Sequence, residues 1–290
     1  MSTASPTLAD LRRRIDELDD ELHDVLMQRA AVVESVRWVK QSNATAALRP
    51  GREAQILRRL LARHQGAFSK PILVRLWREL LAGSLAIQAD LHIAVYAPEK
   101  AGLAGLWDLA RDHYGSQTAM SGLRSTGEVL RALADGRATL GVLPVPGQSD
   151  VEPWWRFLAA GEAPVLHIIA RLPFGAAGNA RGDNSDAFVI GAIEPEESGA
   201  DRSLYVIEVG DDVSRTRLLN ALGNVGLPVT LLAATDPEAG SATLLIEFDG
   251  WIAADDARLG DALAGLGDRM LRCTWLGGYA RPLSAAELAD

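Results

Sequence analysis

LADLRRRIDELDDELHDVLMQRAAVVESVRWVKQSNATAAL, residues 8–48, contains neither glycine nor proline, and Pro50-Gly51 then breaks the run. Apolar residues recur at Leu8, Leu11, Ile15, Leu18, Leu22, Val25, Val32, Val36 and Val39. The steps alternate between three and four, which predicts one long helix carrying a heptad seam. At 1.5 Å per residue such a helix is roughly 50 Å long. A single small domain does not cover that length, so the expectation is that a second chain does.

Working outward, Arg52 to about Gln65 predicts a short helix with Ile56, Leu57, Leu60 and Leu61 on its apolar face, ended by Gly66. Ser69 and Pro71 then open a third helix that runs to about Leu91. From His92 the pattern changes. HIAVYA (92–97), TLGVLPV (139–145), PVLHIIARL (164–172) and AFVIGAI (187–193) read as strands. Helices are expected over 103–114 and after a Ser125/Glu128 capping box, which gives a small α/β layer. An acidic linker, 194–202, precedes a βαββαβ series over 203–282, the ferredoxin-like order. The expected fold class is therefore multidomain α+β: an all-α three-helix domain at 1–91, a small α/β domain at 92–200 and a βαββαβ domain at 201–290.

Composition narrows the function. Apolar residues make up 48% and charged residues 23%, ordinary for a globular protein. The net charge of −9 divides into +3 for residues 1–91 and −12 for the remainder. An acidic rear argues against nucleic acid as a partner, and a mildly basic front is compatible with a small anion. Met1 to Asp10 lacks an export pattern, no apolar run reaches membrane-spanning length, and the lone Cys273 forms no internal disulfide, so a cytoplasmic location is expected.

The chemistry sits where the helical pattern breaks. Arg29 occupies a seam position between Val25 and Val32. A guanidinium there needs an anion or strong acceptors, the alternatives being an internal ion pair or a register-fixing residue. On the third helix Val74, Trp77, Leu81, Ser84, Gln88 and Leu91 follow the same spacing, with Ser84 and Gln88 one turn apart. Solvated helix positions are the bland explanation for both. Lys40 lies three turns beyond Arg29, roughly 16 Å away, so two long side chains could grip one small ligand. Arg12 lies roughly 25 Å from Arg29 and could reach such a site only in an antiparallel partner. Arg52 and Glu53 open the second helix. Glu53 could accept from a hydroxyl or simply favour the helix dipole. No paired nucleophile and base and no metal-ligand spacing accompany these residues, so no metal or cofactor is expected. Such a set suits a reaction that needs positioning and charge stabilisation without a covalent step.

LRRRIDELDDEL, Arg29, Val39-Lys40, LRPGREAQIL and WRELLAGSLAIQ together resemble the all-helical chorismate mutases across about residues 8–91. The resemblance implies an intertwined homodimer that converts chorismate to prephenate, an intramolecular isomerisation in the shikimate pathway of aromatic amino acid biosynthesis. It implies that Arg29 and a partner chain's Arg12 bind the two substrate carboxylates and that Lys40 and Gln88 donate to the ether oxygen. Glu53 would hold the ring hydroxyl, Ser84 would assist a carboxylate, Arg52 would line the site and Arg49 would offer its backbone. Isochorismate lyases share the helical scaffold, and Glu53 with Gln88 favours the mutase over them.

The rear resembles the prephenate dehydratases, including their C-terminal ACT domain, on SLYVIEV (203–209), LLIEFDG (244–250) and LGGYARP (276–282). The functional motifs depart from that pattern. Where the family carries Asn-x-Thr-Arg-Phe, this chain reads Asn184-Ser185-Asp186-Ala187-Phe188, and for Val-Pro-Ile-Glu-Asn it reads Leu143-Pro144-Val145-Pro146-Gly147. An Arg-to-Ala change removes a cation from a site that must hold a dianion, so no dehydratase activity is expected. The amino-acid sensor positions read Ser214-Arg215-Thr216 and Ala233-Ala234-Thr235-Asp236, which favours a structural role or docking to another pathway enzyme. The competing reading of the whole chain is a non-catalytic metabolite-sensing or docking protein that uses its helices only to dimerise.

Overall fold

The structure, a computed structural model, describes residues 6–43, 47–98, 104–147, 152–161, 163–178, 186–235 and 240–289, with the backbone alone at 40–43 and 104. The chain divides into two compact units, 1–47 with 83–90, and 48–82 with 91–290.

The first unit is dominated by α1 (Leu8–Asn43), 36 residues long. Thr7 caps it: its Oγ1 accepts from the Asp10 amide at 3.2 Å and its amide donates to Asp10 Oδ2 at 3.1 Å. The seam read from the sequence is present and uncovered. Its nine apolar residues, Leu8 to Val39, keep between 39% and 64% of their surface exposed. The C-terminal end of α3 (Lys70–Gln88) completes this unit.

In the second unit, α2 (Pro50–Ala62) buries Gly51, Ala54, Leu57 and Leu61 on one face. Ala54, Leu57 and Leu61 pack with Val74 and Leu81 of α3, and with Phe174 and Leu283. The remaining elements are β1 (His92–Tyr96), α4 (Ala104–Tyr114), β2 (Ala119–Leu123), α5 (Thr126–Ala134), β3 (Leu140–Pro144), α6 (Trp155–Ala160), β4 (His167–Leu172), β5 (Ala187–Gly191), β6 (Asp201–Gly210), α7 (Arg215–Asn224), β7 (Val229–Ala234), β8 (Ser241–Asp249), α8 (Ala257–Ala264), β9 (Met270–Ala280) and α9 (Ala285–Leu288). The expected capping box opens α5, with the Glu128 amide donating to Ser125 Oγ at 3.1 Å and the Ser125 amide to Glu128 Oε2 at 3.3 Å. Strand β2 and helix α6 were not expected from the sequence.

All nine strands belong to one sheet, ordered β2-β1-β3-β5-β4-β9-β6-β8-β7. Strands β2, β1 and β3 run parallel, β5 is antiparallel to β3 and β4, and β9, β6, β8 and β7 are antiparallel neighbours. The βαββαβ order expected over 203–282 is present. The sheet does not stop at residue 200, however: β4 joins β9 at Ile168 and Gly277. Gly277 has φ +127°, and a Cβ there would overlap the Ile168 carbonyl oxygen, so the join requires glycine. One face of the sheet carries a core that mixes Phe188 and Ile190 with Leu204, Val206 and Leu276. The other face buries Tyr205, Ile207, Ile246 and Phe248 beneath α7 and α8. Among the described residues no helix is long and apolar enough to cross a membrane.

Candidate functional site

The first unit holds Arg12, Arg29, Lys40, Ser84 and Gln88. Heptad spacing places Arg29 on the α1 seam, and its Nη1 donates to the hydroxyl of Ser84 on α3. No acid among the described residues lies within ion-pair distance of Arg29, so its charge is met by a neutral acceptor alone. One turn beyond Ser84, Gln88 donates through Nε2 to the Ser84 carbonyl at 3.0 Å. Its Oε1 is buried without a partner. An amide spent on a carbonyl of its own helix, with its oxygen unmet, has more to gain from a ligand than from its present contact. Arg12 is exposed on α1, with no ion-pair partner among the described residues. Lys40 lies on α1, and its side chain falls outside the described residues.

The second unit holds Arg49, Arg52 and Glu53; here Arg49 and Glu53 are ion-paired, while among the described residues the guanidinium of the exposed Arg52 reaches only Gln55 Oε1, at 3.5 Å. Arg49 grips Glu196 Oε2 through Nε at 2.9 Å and Nη2 at 2.5 Å. The amide of Arg52 donates to Glu196 Oε1 at 3.0 Å. Glu53 Oε2 accepts from Arg78 Nη1 at 2.9 Å, and Arg78, only 4% exposed, lies 5.0 Å from the ring centre of Phe174. Burial holds the Glu53 carboxyl above the usual carboxylate range despite Arg78, and burial lowers Arg78 in turn. The Tyr114 hydroxyl is buried without a partner, and burial, reinforced by Glu53, raises its pKa. Sequence reasoning missed Arg78, although the signal was there. It falls four residues after Val74 and three before Leu81, on the same buried stripe of α3.

The two departing motifs of the rear are neighbours. Leu143 pairs with Phe188 and Pro144 with Ala187 across β3 and β5. Asn184 and Ser185 lie outside the described residues. On the next strand Arg171 stands opposite Phe188. Its guanidinium donates to Asp186 Oδ2 at 2.6 and 3.1 Å and to Glu247 Oε1 at 3.4 Å, and Tyr279 donates to the same Glu247 oxygen. Of the sensor positions, Ser214 is the N-cap of α7, accepting from the Arg217 amide at 3.2 Å. Asp236 lies outside the described residues. Among the described residues no cluster of His, Cys, Asp or Glu is placed to hold a metal ion.

Residues 11–89 match the family model for chorismate mutase type II. A curated relative, the bifunctional chorismate mutase/prephenate dehydratase of Pseudomonas aeruginosa, is 30% identical over 145 residues. That alignment takes in 48% of this chain, a larger share than residues 11–89 make up, and 39% of the relative. The chain thus spans about two fifths of that relative's length. Among solved structures, the quorum-quenching acylase GqqA is similar at TM-score 0.49 and 18% identity, covering 67% of this chain and 95% of that one. A prephenate dehydratase from Arthrobacter aurescens in complex with L-Phe is similar at TM-score 0.47 and 16% identity, covering 69% of this chain and 95% of that one.

Proposed function

We propose that the chain, whose residues 11–89 form a type II chorismate mutase domain, rearranges chorismate to prephenate as an intertwined homodimer. The observation that carries this reading is Arg29. It is a seam guanidinium bound to the Ser84 hydroxyl and, among the described residues, to no acid, and Ser84 lies one helical turn from Gln88, an amide with an unmet oxygen. A dianion would complete that arrangement. The uncovered seam of α1 supports the second subunit, since burying each exposed Leu, Ile or Val side chain contributes about 1.5–3 kcal/mol. An antiparallel partner would bring its Arg12 towards Arg29.

The reaction moves no proton and forms no covalent enzyme intermediate. Arg29 with Ser84, and Arg12 of the partner subunit, take the two carboxylates and select the compact conformer in which the new C–C bond can form. As the C–O bond breaks, negative charge grows on the ether oxygen. Lys40 and Gln88 donate to that atom in the manner of an oxyanion hole. Glu53 orients the ring hydroxyl, and Arg78 fixes the position of Glu53. Arg52 lines the site, and Arg49, held by Glu196, presents its backbone.

Residues 92–200 serve as a prephenate dehydratase-like segment and 201–290 as an ACT-like one, and the chain acts without dehydratase activity in the cytoplasm. Ala187 supplies no cation beside Pro144, and Arg171 on the adjacent strand is consumed by Asp186 and Glu247. One assay tests both halves of this reading. Purified protein incubated with chorismate is expected to accumulate prephenate and no phenylpyruvate. Prephenate formation at the uncatalysed rate removes the mutase; phenylpyruvate restores the dehydratase.

A further inference from the structure

The sequence leaves α2 without a cap of its own. Its N-cap residue is Arg49, whose side chain carries donors and no acceptor, and Pro50 follows it. The amide of Arg52, in the first turn, therefore needs an acceptor from elsewhere. Glu196, from the segment between β5 and β6, supplies it. Its Oε1 accepts from that amide at 3.0 Å, and its Oε2 takes the Arg49 guanidinium at 2.5 and 2.9 Å. One carboxylate thus caps the helix and fixes the residue that precedes it. The approach is close enough to demand glycine at position 51. A Cβ there would stand 2.8 Å from Glu196 Cγ and 2.9 Å from its carbonyl oxygen. Two turns further along α2, Arg58 ties down the same segment, donating to Ser198 Oγ at 3.2 Å and to the Ala200 carbonyl at 3.1 Å. What reads in the sequence as an acidic linker is a strut laid along α2.

The residues that Glu196 holds are the ones the mutase reading brings to the substrate from α2. Arg49 offers its backbone, Arg52 its guanidinium and Glu53 its carboxylate, and all three lie at the capped end of the helix. We propose that Glu196 is a positioning residue of the mutase site: it touches no substrate, and it sets the first turn of α2 so that Arg52 and Glu53 meet the ring of chorismate. The proposal rests on the mutase reading and extends it, because it makes a residue far outside the 11–89 match part of the same site. Glu53 is then fixed twice. Arg78 holds its carboxylate at 2.9 Å, and Glu196 holds the backbone of the turn that carries it. Arg52, whose guanidinium meets Gln55 at 3.5 Å, takes its direction from that backbone.

Steady-state kinetics of the full chain with chorismate, alongside urea unfolding, tests it. Glu196→Ala is expected to raise KM about tenfold and to leave kcat within about twofold, since the ring contacts it aligns are made in ground state and transition state alike. Glu196→Gln keeps an acceptor for the Arg52 amide and is expected to recover most of that loss. Gly51→Ala, which by itself favours helix, is expected to raise KM in the same sense by pushing Glu196 off the turn. It carries the test should Glu196→Ala fail to fold. Arg58→Gln loosens the strut at its other anchor and is expected to lower the unfolding midpoint without raising KM. Unchanged KM in folded Glu196→Ala or Gly51→Ala overturns the proposal. So does an equal rise in Arg58→Gln, which would make the strut a brace for the fold alone. An unaltered chain that does not turn over chorismate removes the mutase reading and this one together; an active chain with indifferent variants removes this one alone.

Discussion

Arg29 and Arg78 each interrupt an apolar helix stripe, and the two units treat the interruption in opposite ways. Arg78 is buried, paired with Glu53 and laid against Phe174, so its charge is cancelled where it stands. Arg29 is only half-buried and meets a hydroxyl, so its charge is kept. The same contrast recurs along the chain. Arg49 and Arg171 are held by carboxylates, while Arg12 has none among the described residues. A cation already neutralised is architecture, because removing its partner leaves an uncompensated charge in a poor solvent. A cation left waiting on a surface that a second chain would cover is the more plausible receptor for an anion. The distinction is physical, and it can be broken from either side.

The largest effect is expected on activity. Arg29→Ala and Lys40→Ala should each lower turnover of chorismate by about a hundred- to a thousand-fold, the usual consequence of removing one charge-stabilising donor. The urea unfolding midpoint should stay within error. Arg29→Lys should fall between, since it keeps the charge and loses the two-pronged geometry. Near-normal turnover in Arg29→Ala would return that residue to a register-fixing role and erase the contrast.

The second effect is expected on stability. Arg78→Met should lower the unfolding free energy by about 3–5 kcal/mol, because the Glu53 carboxylate, its side chain only 16% exposed, is left without its cation. The double variant Glu53→Leu/Arg78→Met should recover most of that loss, as apolar replacements of buried ion pairs often do. Urea titration followed by tryptophan fluorescence measures both. A loss below about 1 kcal/mol would assign the pair the small value of a surface ion pair.

Much of this was legible in the sequence, for reasons that differ from element to element. The long helix was legible because nine seam residues from Leu8 to Val39, with no glycine or proline among them, leave little else for that stretch to form. Arg29 and Ser84 were each legible as a polar break in an apolar stripe, but their mutual contact was not, because no local period connects α1 with α3. Arg78 was not legible as the partner of Glu53, because the acid opens α2 and the cation sits mid-α3, and no local period connects them. Strand β2 was hidden because AMSGL is short, rich in small residues and at the sheet edge, where backbone pairing with β1 does the work. The continuity of the sheet across residue 200 rests on Gly277, whose contribution is the absence of a side chain. An absent side chain leaves no hydrophobic pattern to read.

The smallest effect expected is a pH dependence that reports on the interior around Arg78. His113, edge-on to Tyr114 at 4.7 Å, is held well below the usual histidine range, first by burial and then by the charge of Arg78. Unfolded, it titrates near 6.5, so as pH falls below that value the unfolded chain takes up a proton that the folded chain refuses. The stability contributed by neutral His113 is therefore complete above about pH 6.5 and is lost as pH falls towards its lowered folded value. Glu53 acts in the opposite sense. Its raised folded value makes the folded chain the better proton acceptor, so its contribution grows as pH falls through that value. The two slopes oppose each other, and only a difference between variants separates them. Urea midpoints of the unaltered chain and of His113→Asn, compared between about pH 7.5 and pH 5.5, should show a shallower decline in the variant. Parallel declines would mean that the imidazole reaches solvent when it charges, and that the interior around Arg78 is more open than its ion pair suggests.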